Sequence, residues 1–548
     1  MSGNKVKGRL TTGSHAGGRV MKAAAKKRST LVTDASKLLS KTSSPHGKSP
    51  KASTGASALA TTPTKGQGKR KREDAEDESH TEDGETPRPA KKSKAAAPKA
   101  EKRPSRVDAA PAVINKVPSK VLTVLIFGAG ECGELGLGPK RKAALNPRVN
   151  PFLNPNDAGT FHAVQVACGG MHTLALTADN KIVSWGVNDN DALGRDTRWE
   201  GGMRDADESE DEDDEDLNPH ESTPTNIPTS YFPEGTTFVQ VAAGDSCSFA
   251  LTATGLVYGW GTFLDSQGRA RFRLDENKEL IEKQEQPILV PGLSRITQIA
   301  CGANHALALD ASGTVWGWGN CEQNQLGRPH AGALEDTLTP RKVEIGRRGI
   351  KYIASGEYHS FAVDDKDRVW GWGLNSFGEA GYAKTAGGDA AVLPEPKRVR
   401  ELSRKGIRVI DGGAHHSAAV TADGECLVWG RLDGGQLGIK FSQEQLDDET
   451  QIRRDEYNKP RICLKPTAVP NIGKVAHVAC GTDHTIIIND QGHGYATGFG
   501  SSGQLGLGDE DDRDVARKMG GKNVVERELL WAGAGGQFSV VAATVKIE

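Results

Sequence analysis

From Val121 onward the apolar positions come in short runs, alternating with small residues and separated by glycine-rich turns. Such alternation reads as short antiparallel β-strands. One phrase recurs along this part of the chain. It stands as Val166-Ala-Cys-Gly169-Gly-Met-His172-Thr-Leu-Ala-Leu176 and as Ile299-Ala-Cys-Gly302-Ala-Asn-His305-Ala-Leu-Ala-Leu309. It returns at Gly356-Glu-Tyr-His359, Gly413-Ala-His-His416 and Gly481-Thr-Asp-His484, and without the histidine at Gly244-Asp-Ser-Cys247 and Gly535-Gly-Gln-Phe538. A turn and a second phrase follow each copy, as in Gly313-Thr-Val-Trp316-Gly-Trp318-Gly319, and often a third, as in Gln325-Leu-Gly327 or Gln436-Leu-Gly438. A unit of three or four such strands cannot bury both of its faces alone, whereas a ring of units can, leaving only short, protected edges. The expected fold is therefore all-β, a seven-bladed β-propeller.

The chain ends predict how the ring closes. The seventh copy, from Trp531 to Val545, lacks its third phrase, and that phrase stands orphaned at the front: Val121-Leu-Thr-Val-Leu-Ile-Phe127, then Gly133-Glu-Leu-Gly-Leu-Gly138. An N-terminal strand is expected to complete the last blade. The propeller is assigned to residues 119–548, with an acidic disordered insertion at about 202–222, and residues 1–118 to a disordered basic tail.

Charge sharpens this division. The first 120 residues hold 27 Lys and Arg against 11 Asp and Glu, while the remainder holds 43 against 60, so a net charge of −1 hides a polycation joined to an acidic body. A tail rich in Lys, Ala, Ser, Thr and Pro buries too little apolar surface to offset its ordering entropy. Its clusters Lys69-Arg70-Lys71-Arg72 and Lys91-Lys92 with Lys94 read as nuclear-import signals, and the same charges can grip DNA phosphates. No segment approaches the roughly 20 apolar residues that cross a bilayer. The eight cysteines show no metal-ligand spacing. An intracellular protein with no membrane partner, cofactor or metal is expected.

The repeated histidines, His172, His305, His359, His416 and His484, recur by blade symmetry and so lie far apart. They are expected to be buried and bonded to backbone, not to form a catalytic cluster. The paired residues before them vary from blade to blade: Gly170-Met171, Asp245-Ser246, Ala303-Asn304, Glu357-Tyr358, Ala414-His415, Thr482-Asp483 and Gly536-Gln537. Variation on loops at one face suggests readout of an asymmetric partner.

The three phrases resemble the repeat of the regulator of chromosome condensation family over residues 121–548. Blade-specific stretches strengthen the resemblance: Asn188 to Thr197, Ala243-Gly-Asp245-Ser246, Gly412-Gly-Ala-His415-His416, and Trp260-Gly-Thr-Phe263-Leu-Asp265, which is similar to the start of the family's β-wedge. The wedge is placed at about 262–275. The resemblance implies a guanine-nucleotide exchange factor for the small GTPase Ran, acting in the nucleus at chromatin, with nucleosomes or histones, DNA and importin as further partners. It is not an enzyme in the covalent sense. The positions it marks as GTPase contacts are Glu131, Asp245, Phe263, Leu264, Asp265, Asn304 and His415; Glu357 and Asp483, at the same place on the variable loops, complete the expected contact set. Two depart from the family pattern: Asn304 stands where the family has Asp, and Leu264 where it offers Arg. The family's arginine-bearing loop after the third blade is matched here by Arg328 to Asp336, short of arginine, with Arg341, Arg347 and Arg348 beyond it. The alternative is a chromatin-associated propeller scaffold without exchange activity; the blade-specific phrases favour exchange.

Overall fold

The computed structural model describes residues 112–200, 216–329, 334–346, 349–388 and 391–545. Outside them lie both basic clusters, Lys69 to Arg72 and Lys91 to Lys94, most of the acidic insertion at about 202–222, and Arg347 and Arg348.

Each repeat forms one antiparallel sheet. In blade one Ala163–Cys168, His172–Thr177, Ile182–Gly186 and Thr225–Asn226 pair in that order. The described residues make seven such blades, all four-stranded except blade five, whose outer strand Pro460–Ala468 carries a fifth, Ile452–Arg454. The innermost strands of all seven surround a channel of about 290 Å³. Cys168, Cys301 and Cys480 line it.

Blade seven is built from both ends of the propeller. Leu529–Ala534 and Phe538–Thr544 are continued by Leu122–Ala129 and then Ala143–Val149. The expected closing strand is present, with Leu122 paired to Thr544 and Gly128 to Phe538. A second N-terminal strand lies outside it. Its sequence, Ala-Ala-Leu-Asn-Pro-Arg-Val, carries a proline tolerated only because the strand is at an edge.

The core is divided among the gaps between blades. Val164, Leu174 and Ile182 of blade one pack with Phe238, Val241 and Trp260 of blade two. The closing strand serves two gaps: Val124 and Ile126 face blade one, while Leu125 and Phe127 face blade six. All four are fully buried, and each contributes roughly 1.5–3 kcal/mol.

Backbone bonds tie the blades at one face. The amide of Asp245 donates to the carbonyl of Ala303 (2.8 Å), Ala303 to Glu357 (3.0 Å), Glu357 to Gly413 (3.2 Å) and Ala414 to Thr482 (3.2 Å). This belt explains the glycine that opens every copy of the first phrase. A Cβ at Gly413 would sit 2.1 Å from the carbonyl oxygen of Gly481 in the next blade.

The histidines are fully buried, as expected, and backbone groups of the next blade bear on two of the rings, Asp245 on His172 and His484 on His416. Each Nε2 meets a hydroxyl on the second strand of the next blade: His172 with Ser248 (2.8 Å), His305 with Ser360 (2.8 Å), His359 with Ser417 (2.7 Å), His416 with Thr485 (2.9 Å) and His484 with Ser539 (2.7 Å). The hydroxyl in turn donates to the loop carbonyl of Ala192, Gln325, Glu379, Gln436 or Gln504. Through this relay each ring is also joined to a loop carbonyl, because the ring points across the gap between blades. Tryptophans share three of these carbonyls: Trp260 on Ala192, Trp372 on Gln325 and Trp429 on Glu379. The third phrase is therefore an interlock. Where blade two has Cys247 instead of histidine, the facing position in blade three is Ala306 instead of a hydroxyl.

Ahead of the closing strand, Ile114 and Asn115 dock between blades two and three. The Asn115 amide donates to the carbonyls of Thr252 (3.0 Å) and Ile296 (2.8 Å).

Candidate functional site: one rim of the ring

In an up-and-down sheet the connections after the first and third strands emerge at one end. That end of every blade is the belt face, and it carries the loops singled out from the sequence. Because the belt commits backbone alone, side chains on these loops vary without disturbing the turns. Asp245, Asn304, Glu357, His415 and Asp483 come from five consecutive blades, two to six, and all are partly exposed there. Glu131 follows the third strand of blade seven and is exposed.

Glu131 does not stand alone. Burial pushes the nearby Cys132 thiol up to about 11, with Glu134, Asp189, Glu131 and Glu221 adding to the effect. Burial also raises the carboxyl of Asp191, with Glu285 contributing. Carboxylates from blades seven, one and two thus gather into an acidic corner. Sequence reading singled out Glu131 alone, since only the assembled ring brings the connections of blades seven, one and two together.

At blade five the His415 ring lies 4.8 Å from that of Phe377. Its Nδ1 is 3.6 Å from an oxygen of Glu379, a carboxylate fully buried beneath it. The other Glu379 oxygen accepts from the amide of Phe377 at 2.6 Å. The Phe377 ring is flanked by the guanidinium groups of Arg431 (5.6 Å) and Arg461 (5.0 Å). Asp483 accepts from Gln436 (3.3 Å) and lies 3.9 Å from Arg431. His415 and Asp483 therefore share one network through Phe377 and Arg431, which the sequence could not reveal.

Between the third and fourth strands of blade two lies an insertion of two small hairpins. Phe263–Leu264 pairs with Ala270–Arg271, and Arg273–Leu274 with Leu280–Ile281. The structure thus carries this element past 275 to Ile281. Three of the residues marked from sequence sit at its root, in different settings. Phe263 is only 2% exposed and stacks against Phe249 and Phe272, so its ring belongs to the core and not to the surface. Asp265 organises the turn, accepting from the amides of Gln267 (2.9 Å) and Arg269 (3.0 Å) and pairing with Arg269 (2.7 Å) and Arg271 (3.4 Å). These bonds hold its carboxyl below the usual range, against the opposing effect of burial. Leu264 is partly exposed, and its amide donates to Asn304 Oδ1 at 2.7 Å. Asn304 and Leu264, the two departures from the family pattern, thus bond to each other.

The third-blade loop is described only in part. Arg341 pairs with Asp336 at 3.7 Å. Among the described residues no helix is long and apolar enough to cross a membrane.

A ring closed by its own N-terminal strands, with one rim of glycine-anchored loops and an inserted hairpin pair, defines an RCC1-type propeller. Residues 123–541 match the RCC1-like domain, and the chain belongs to the regulator of chromosome condensation family. It is 41% identical over 431 residues to guanine nucleotide exchange factor SRM1 of Saccharomyces cerevisiae, covering 76% of this chain and 86% of that protein. The crystal structure of Prp20p from Saccharomyces cerevisiae, described with its binding properties to Gsp1p and histones, superposes with a TM-score of 0.70. It is 39% identical and covers 79% of this chain and 93% of Prp20p. Yeast RCC1 (Prp20) with Kap60 bound matches at a TM-score of 0.70 and 37% identity, covering 83% of this chain and 97% of that one.

Proposed function

We propose that this protein is a guanine-nucleotide exchange factor for the small GTPase Ran, acting in the nucleus at chromatin. The observation that carries this reading is its 41% identity to an exchange factor over most of both chains. The propeller and its rim fall within the family match.

The mechanism is one of differential binding. A GTPase holds its nucleotide through phosphate contacts from backbone amides, a lysine and Mg²⁺. A rim that binds the nucleotide-free form more tightly than the loaded form must, by reciprocity, weaken nucleotide binding. The acidic corner and the carboxylates of Asp245, Glu357 and Asp483 suit a partner surface bearing cations, and they steer its approach. His415, backed by buried Glu379, offers an imidazole in a set orientation. The blade-two insertion supplies the element that reaches the phosphate-binding region of the GTPase. The contact set we assign is Glu131, Asp245, Leu264, Glu357, His415 and Asp483, with Phe263, Asp265 and Asn304 supporting the insertion.

The binding of Prp20p to Gsp1p and histones supports both a protein partner, which we assign to the rim, and a histone partner. The complex of yeast RCC1 with Kap60 supports a further partner; we assign importin to the clusters at Lys69–Arg72 and Lys91–Lys94, and DNA phosphates to the same tail.

Release of labelled GDP from Ran, with catalytic amounts of this protein, tests the reading. Stimulation of Ran but not of related GTPases is expected. Asp245→Ala and His415→Ala should each slow release at least about tenfold, a loss of ~1.4 kcal/mol in the barrier, with unfolding unchanged. Absence of stimulation by the wild-type protein would leave the scaffold reading in its place.

A further inference from the structure

We propose that Asn304, Asn320 and Glu322 of blade three are positioning residues for the exchange reaction, clamping the root of the blade-two insertion in one orientation. This rests on the exchange reading above and names residues that act on the reaction without touching the GTPase.

The insertion is poorly held by its own bonds. Each hairpin ladder has only two residue pairs, and an isolated two-stranded hairpin is marginal in water. Asp265 orders the first turn internally, but its own bonds do not fix the turn's direction relative to the ring. From below, Phe263 stacks on Phe249 at 6.2 Å and Phe272 at 5.8 Å, and Trp318 of blade three meets Phe249 edge-on at 5.4 Å. An apolar stack resists separation but is weakly directional.

Direction comes from the side. The amide of Leu264 donates to Asn304 Oδ1 (2.7 Å), and Asn320 Nδ2 donates to the carbonyl of Leu264 (2.8 Å). One residue of the insertion thus has both its backbone groups held by two side chains of the next blade. Beyond it, Ser266 gives its amide (2.7 Å) and its hydroxyl (3.0 Å) to the two oxygens of Glu322. Asn320 Oδ1 accepts the Glu322 amide (2.7 Å), which joins the clamp into one unit.

Blade three departs from its sister blades to do this. In blades one and four, the asparagine two residues after the closing glycine serves its own loop. Asn188 accepts from the amide of Leu193 and Asn375 donates to the carbonyl of Tyr382. Blade three has Cys321 at that place, and Asn320 turns instead to its neighbour. A contact element displaced by about 1 Å can lose on the order of 100-fold in rate, so an orientation fixed by four directed bonds across the gap bears on the reaction.

The test uses the full chain carrying Asn320→Asp, which cannot donate to Leu264, or Glu322→Ala, with Glu322→Gln as the conservative control. Glu322 lies on the surface, so its removal leaves the core alone. Amide hydrogen exchange should speed up at Leu264 and Ser266 but not at Gln267 and Arg269, which Asp265 holds. GDP release from Ran should lose roughly 10- to 100-fold in kcat with KM nearly unchanged, as for groups that matter mainly in the transition state, and Glu322→Gln should stay near wild type. Unchanged amide exchange overturns the proposal. So does faster exchange at Leu264 and Ser266 with kcat intact, an outcome that leaves the exchange function standing. A wild-type protein that does not stimulate GDP release from Ran overturns both.

Discussion

A buried imidazole must find partners for the nitrogens that water no longer solvates, and here the solution spans two blades. The Ser417 hydroxyl both receives His359 Nε2 (2.7 Å) and donates to the Glu379 carbonyl (3.0 Å). Ser417→Ala strands a buried donor and is expected to cost about 1–3 kcal/mol, read by denaturant unfolding. The double change with His359→Cys copies the natural Cys247–Ala306 pairing and should cost less than the sum of the single changes; strict additivity would contradict the relay. The same rings predict an acid limit. Burial lowers His172 to about 4, His305 and His359 to about 3 and His416 to about 4 from an ordinary 6.5. Below pH 6.5 the unfolded chain binds these protons and the folded chain does not. Stability is thus present above pH 6.5 and is lost as the pH falls towards 4, by up to about 1.4 kcal/mol per pH unit for each group. Asp411 acts in the opposite sense: burial raises it from 3.8 to about 7, so its contribution is lost as pH rises through that window. His477 is lowered to about 4 as well, and the lowered imidazoles outnumber the raised carboxyls of Asp411, Asp191 and Glu221; a net acid loss is expected, measurable as unfolding free energy between pH 8 and 5, and a flat profile would contradict it.

At the scale of the element, the closing strand is the piece on which the ring depends most. Leu122–Ala129 pairs with the C-terminal strand on one edge and with Ala143–Val149 on the other, and its side chains enter two inter-blade cores. Deleting residues 121–128 exposes two strand edges and opens both gaps. The body is expected to lose its cooperative thermal transition, and an unaltered melting curve would refute closure by this strand. The strand was legible because its apolar run is long and its repeat phrase is orphaned. Its outer neighbour was not, since Asn146-Pro147 interrupts any alternation and an edge strand needs little of it. The insertion after Thr262 was visible as a departure from the repeat, but its extent was not. Hairpins of two pairs leave almost no periodic signature.

For the whole molecule, the separation of charge predicts a separation of tasks. The reaction assigned to the rim needs only the propeller, so residues 112–548 alone should stimulate GDP release from Ran within about threefold of the full chain, while binding to DNA and importin falls away. The DNA contribution of the tail should weaken steeply with salt, as counterion release requires. Equal DNA binding by the truncated and full chains would contradict this assignment. Residue 112 is chosen as the start because Asn115 bonds to blades two and three, so a cut at 119 removes an anchor of the ring.

The amino-acid sequence by itself determined the number of blades, the closure and the loops that form the rim, because each rests on repetition and local strand pattern, which are properties of neighbours along the chain. Tertiary structure alone decided what those loops' side chains touch. The pairing of His359 with Ser417, the gathering of Glu131 with Asp189 and Glu221, and the grip of Asn320 on Leu264 all join residues from different parts of the chain, and several cross from one blade to the next. Such contacts depend on how the sheets are rotated against one another around the axis, and no local pattern of residues encodes that angle.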